Sequence, residues 1–130
     1  MSDLAITRAG PADLDALSVL FDGYRQFYGQ PSDLPRARDW LRSRLRVGES
    51  VVLVAKRGGK TVGFAQLYPM FSSVRTARTW ILNDLFVDSA ARRGGVARAL
   101  LDAAAAFARE DGAAGISLET TRDNDAARAL

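Results

Sequence analysis

The 130-residue chain contains neither cysteine nor histidine. That pair of absences removes disulfides, thiol nucleophiles, imidazole bases and the usual zinc ligands together, so no metal site is expected. Serine without a histidine base also argues against a hydrolytic triad. No apolar run approaches the roughly 18 residues of a membrane span. Asp3, Arg8 and Asp13 break up the first segment, so no secretory leader and no membrane association are expected, and a cytoplasmic protein is. Repeats, low-complexity tracts and linker-like stretches are missing too. What remains is ordinary globular usage, 48% hydrophobic and 25% charged, which predicts one folded domain over residues 1–130.

The net charge of +3 raises the question of nucleic acid. Arg36, Arg38, Arg42, Arg44 and Arg46 crowd one short segment, but Asp33, Asp39 and Glu49 are interspersed and no base-stacking aromatic signature accompanies them. A solvated helix face accounts for this pattern, and no nucleic-acid partner is expected.

Periodicity orders the elements. Leu4 to Arg8 alternates as a strand, and Gly10-Pro11 turns the chain into a helix from Ala12 with Leu14, Leu17, Leu20, Phe21 and Tyr24 on one face. A break at residues 29–35, with Pro31 and Pro35, precedes a second helix over residues 37–47. Residues 50–55 form a continuous apolar strand, residues 56–60 a hairpin turn, and residues 61–68 its partner; a loop over 69–77 leads to a strand over 78–87.

The most informative run follows, Val87 to Leu101, VDSAARRGGVARALL. It reads as a strand end, a turn with two arginines and two glycines, and an amphipathic helix. Unpartnered N–H groups at a helix start, with the positive end of the helix dipole, suit anionic oxygens, and glycine lets backbone approach a ligand closely. A P-loop would need a lysine after its glycines, and a dinucleotide turn would need G-x-G-x-x-G. Neither is present. Arg92-Arg93-Gly94-Gly95-Val96-Ala97 has instead the form R/Q-x-x-G-x-G/A, and a second element follows at Gly115 to Thr121, a strand, with Asp123 to Asp125 as helix-capping residues before Ala126 to Leu130.

On these motifs the chain resembles the GCN5-related N-acetyltransferase (GNAT) superfamily over nearly its whole length. The resemblance implies an α/β (α+β) fold with a mixed, mostly antiparallel sheet flanked by helices, in the order β-α-α-β-β-β-α-β-α, without the family's final strands. It implies acetyl transfer from acetyl-CoA to a primary amine by direct attack, chemistry that needs no protein nucleophile and so agrees with the missing cysteine and histidine. Cofactor contacts are expected from the backbone of Leu85, Phe86 and Val87, through an opening between the fourth and fifth strands, and from Arg92, Arg93, Gly94, Gly95, Val96, Ala97 and Arg98 around the pyrophosphate. Arg92 either touches phosphate or fixes the turn. Asn124 is expected to touch the cofactor, to cap a helix, or both.

The strand Leu82-Asn83-Asp84-Leu85-Phe86-Val87 resembles that of the diamine acetyltransferase branch, where an acid takes a proton from the amine. Strand alternation predicts that Asn83 and Asp84 face opposite sides. Asp84 is the candidate base, with Glu119 as the alternative, and hydrogen-bonded or solvent-facing carboxylates are the plain structural reading of both. Tyr24, Arg25, Tyr28 and Asn83, with the segment Tyr68 to Phe71, are the candidate acceptor residues. Arg25 sits where that branch tends to carry an acid and points away from polyamines, toward a small-molecule or peptide amine that carries a carboxylate. The tyrosine that the family uses to protonate the departing thiolate would fall directly after Leu130, so a truncated chain is expected. A homodimer is expected as cover for an exposed sheet edge. An acyl-CoA-binding module without turnover is the alternative function.

Overall fold

A computed structural model describes residues 3–119. A five-stranded sheet runs β1 (Leu4–Arg8), β2 (Val51–Arg57), β3 (Lys60–Ser72), β4 (Ala77–Val87) and β5 (Ile116–Leu118) in spatial order, antiparallel except for the parallel β4–β5 pair. Helices α1 (Leu14–Phe27) and α2 (Leu34–Arg46) cover one face, and α3 (Val96–Glu110) covers the other. This is the mixed, mostly antiparallel sheet flanked by helices that the sequence predicts.

Burial explains the two layers. Alternate residues of β2 feed opposite cores: Val51, Leu53 and Ala55 pack with Val96, Leu100 and Ala104 of α3, while Val52 and Val54 pack with Leu14, Leu17, Phe21 and Leu41 of α1 and α2. A strand buried on both faces carries no polar alternation, which is why β2 reads as a continuous apolar run. Each buried leucine contributes about 2 kcal/mol.

Several boundaries differ from the sequence reading. Helix α2 starts three residues earlier, at Leu34, because the Asp33 carboxylate accepts the Arg36 N–H at 3.2 Å and Pro35 lies in the first turn, where no N–H is required. The expected loop over residues 69–77 is largely strand: Pro69 pairs with Trp80, and β3 continues to Ser72 before the turn. Proline is tolerated there because pairing between β2 and β3 has already ended at Leu67, leaving that side of β3 without a ladder. The strand at the chain's far end is shorter than expected, Ile116–Leu118. Asn124 and the helix expected around it lie outside the described residues.

The arginine-rich helix is a solvated face, as predicted. Arg36, Arg38, Arg42 and Arg44 each meet an acid, namely Asp33, Asp15, Asp39 and Glu49. Among the described residues no helix is long and apolar enough to cross a membrane.

Candidate functional site

The site begins where β5 leaves β4. Strand β5 pairs with Trp80, Ile81 and Leu82 only, and the Glu119 N–H closes that ladder on the Leu82 carbonyl at 3.0 Å. From Asn83 onward no described strand pairs with this edge of β4. The Asp88 N–H bonds to Val62 O, so Phe86 and Asp84 direct their backbone groups to β3, and alternation turns those of Leu85 and Val87 outward. Leu85 thus offers its N–H and carbonyl, and Val87 its N–H, to an extended ligand, whereas Phe86 offers its ring.

The open edge runs directly into a phosphate-sized cradle. After a short 3₁₀ turn (Ser89–Ala91), Arg93 and Gly95 adopt left-handed backbone with φ of 67° and 78°, and Gly95 caps α3 without any side-chain hydrogen bond. The first N–H groups of α3 therefore keep their capacity for an anion, helped by the helix dipole. A Cβ at Gly95 would clash with nothing; glycine is there for its φ. Arg92 closes the turn, its Nε donating to Val87 O at 3.0 Å with the guanidinium over the Phe86 ring. Cradle and edge line one groove of about 410 Å³, which Tyr24, Tyr28 and Phe27 bound on the α1 side.

At the inner end lies a buried polar chain that sequence reading found only in part. Asp84 is buried, and its Oδ1 accepts from Tyr24 Oη at 2.9 Å and Asn83 Nδ2 at 3.1 Å; its Oδ2 accepts from Gln66 Nε2 at 2.9 Å. Ser50 Oγ donates to Gln66 Oε1 at 3.0 Å, which fixes the amide so that its NH₂ end meets the carboxylate. Three donors thus converge on the Asp84 carboxylate. Burial and the adjoining Asp84 charge push the Tyr24 phenol well above its ordinary range, so Tyr24 stays a donor; the Tyr28 hydroxyl adds to this. Burial and the same charge also raise Tyr68.

One prediction is corrected here. Asn83 and Asp84 do not face opposite sides. Gln66 pairs with Asp84 while Leu67 pairs with Leu82, leaving Asn83 as an extra residue, a β-bulge. Leu82 and Leu85 consequently share the α3 core, and Asn83 and Asp84 share the opposite face, joined by their own hydrogen bond.

The other candidates separate. Tyr24, Tyr28 and Asn83 gather around Asp84, whereas Glu119 is exposed beyond the end of β5. Arg25 has a buried Nη1 with no hydrogen-bond partner among the described residues, and its charge acts on Asp22. Phe71 is 73% exposed on the β3–β4 hairpin, away from this cluster's buried interior. Ser50 and Gln66 escaped sequence reading; the one signal available was a lone amide inside the apolar run Phe64 to Leu67.

An open strand edge feeding an uncapped, left-handed turn is matched by relatedness along the chain. Residues 14–130 match the Acetyltransferase (GNAT) family. The chain belongs to that family. It is an acetyltransferase by this membership and by its relatives. "Uncharacterized N-acetyltransferase YhfO" of Bacillus subtilis (strain 168) is 46% identical over 125 residues, 96% of this chain and 84% of that protein. A "probable acetyltransferase" of Haemophilus influenzae is 33% identical over 105 residues, 80% of this chain and 72% of that protein. The crystal structure of another "probable acetyltransferase" superposes with a TM-score of 0.90 at 42% identity, covering 96% of this chain and 84% of that one. This GNAT acetyltransferase therefore shares its fold with a protein of related sequence.

Proposed function

We propose that this acetyltransferase moves an acetyl group from acetyl-CoA to a primary amine while both substrates are bound. The observation that carries the reading is the continuity of the outward-facing Leu85 and Val87 backbone with the uncapped turn from Arg93 to Arg98. A pantetheine arm has amides that suit a strand edge, and a pyrophosphate suits a helix start, so one groove accommodates both ends of the cofactor. Asn124 is retained as a cofactor contact in this reading.

Chemistry at the inner end follows from the polar chain. The amine nitrogen attacks the thioester carbonyl, the N–C bond forms, and the C–S bond breaks with the electron pair leaving on sulfur. Asp84, its carboxylate oriented by Tyr24, Asn83 and Gln66, is the group placed to draw the amine's proton, directly or through a water. Glu119, exposed just past β5 with its N–H on Leu82 O, is the alternative base. Tyr24, Tyr28 and Asn83 shape the acceptor's approach, and Arg25 supplies a cation suited to an acceptor that carries a carboxylate. The protein is read as one domain, cytoplasmic and homodimeric.

A thiol-release assay with acetyl-CoA and a panel of amines tests the reading: free amino acids, short peptides, a polyamine and an aminoglycoside. Amine-dependent release of CoA with a mass gain of one acetyl group supports it. Acetyl-CoA binding without release on any amine would favour a binding module instead.

A further inference from the structure

Gly94 stands at a variable place of the R/Q-x-x-G-x-G/A pattern, yet it has a structural reason to be glycine. Its φ is not left-handed, so conformation does not demand it. Space does. A Cβ there would lie 2.8 Å from Nη1 of Arg57 and 3.4 Å from the Ala91 carbonyl. Arg57, the last residue of β2, reaches across to the turn and donates from Nη2 to Gly94 O at 3.1 Å, while its Nε faces Asp3 at 3.5 Å.

We infer that Arg57 is a positioning residue for the cofactor's phosphates, acting through the Gly94 carbonyl. A trans peptide directs its carbonyl and the following N–H in opposite directions. Holding Gly94 O back against Arg57 therefore turns the Gly95 N–H away from β2, and Gly95 lines the groove. Arg93 and Gly95, both left-handed, flank the pinned peptide, so without the pin a glycine-rich segment has several backbone arrangements open to it. The guanidinium also adds a positive charge beside the turn, paired on its Nε side with the Asp3 carboxylate. The far end of α3 is secured independently, since Asp111 accepts from Trp80 Nε1 and Arg78 Nη2, both at 2.8 Å. Arg57 supplies the corresponding tie at the ligand-facing end.

This inference rests on the acetyl-CoA reading, and binding measurements separate the two. Acetyl-CoA and S-acetylpantetheine, which lacks the diphosphate, are titrated calorimetrically into the unmodified protein, Arg57→Met and Gly94→Ala. Loss of a hydrogen bond to a charged donor weakens binding about tenfold or more. We expect both variants to bind acetyl-CoA about tenfold more weakly and S-acetylpantetheine within about twofold of the unmodified protein, with melting temperatures unchanged. Acetyl-CoA binding by Arg57→Met at the unmodified level, or equal loss of both ligands, would overturn the role of Arg57 alone. Failure of the unmodified, folded protein to bind acetyl-CoA would overturn the cofactor reading and this inference together.

Discussion

The phenol oxygen of Tyr24 lies 2.9 Å from Oδ1 of Asp84, joining α1 to the bulge in β4 across 60 positions of sequence. The Tyr24 ring stacks or packs edge-on with Phe21, Phe64 and Phe86, so Tyr24→Phe keeps the packing and deletes only the hydroxyl. If Asp84 draws the amine's proton, Tyr24→Phe lowers kcat about tenfold and Asp84→Asn about a hundredfold, in the range of general-base losses. Acetyl-CoA affinity stays within twofold in both. Steady-state kinetics with any accepted amine check this; a fully active Asp84→Asn would remove Asp84 from the mechanism.

Alkaline stability carries a second expectation. Tyr24 and Tyr68 are raised from a reference value of 10.0, both by burial first and the Asp84 charge second. A raised phenol favours the folded state only while protonated. Its stabilisation is therefore intact below pH 10, and is lost as pH rises because the unfolded chain releases the proton first. Urea midpoints should fall above about pH 10, less steeply in Tyr24→Phe. Native tyrosinate absorbance near pH 10 should exclude Tyr24 and Tyr68.

Acid acts on a different pair of groups. Asp22 is lowered by the Ser32 hydroxyl and then the Asp33 amide, with Gln26 as a further donor, and Asp13 by hydrogen bonding to Lys56 and then to the Gly10 amide. Depressed carboxyls stabilise above their unfolded value of 3.8, and that contribution disappears as pH falls below it through the folded values. Asp22→Ala should cost about 2 kcal/mol at neutral pH, since it strips the α1–α2 connection of several hydrogen bonds. Its acid-unfolding curve should be shallower than that of the unmodified protein. Chemical denaturation at pH 7 and pH 3 gives both numbers.

Gln66 is fully buried between Ser50 and Asp84, so Gln66→Leu fills the space but withdraws a donor from a buried carboxylate and leaves the Ser50 hydroxyl unpaired. A destabilisation of about 1–3 kcal/mol is expected. Ser50→Ala with Gln66→Leu should be less damaging than the sum of the two single changes, because the second deletion removes the orphaned partner. Additive losses would contradict the chain of bonds.

Sequence made part of this legible for physical reasons. The turn from Arg92 to Ala97 is local: its glycines, its arginines and the helix after it are all read from neighbouring residues, and the structure places them together. The order of elements was legible because β2 is apolar from Val51 to Ala55 and a hairpin follows it. What stayed hidden depends on pairings between distant residues. The bulge at Asn83 is a property of the β3–β4 register, so simple alternation put Asn83 on the wrong side of Asp84. Gln66 and Ser50 acquire meaning only by facing Asp84, and Arg57 only by reaching a turn 37 positions away. Pro69 misled in the other direction, because the free side of β3 that tolerates it is set by where β2 ends.

The most direct test of the account is calorimetric titration of acetyl-CoA into the unmodified protein and into Gly95→Glu. The substitution places a carboxylate at the cradle and a side chain on backbone with φ of 78°, while nothing lies within 4 Å of the added Cβ to disturb the core. Saturable one-site binding that falls at least a hundredfold in a folded Gly95→Glu is the predicted result. Binding that is absent in the folded unmodified protein, or undiminished in the variant, would contradict the cofactor groove.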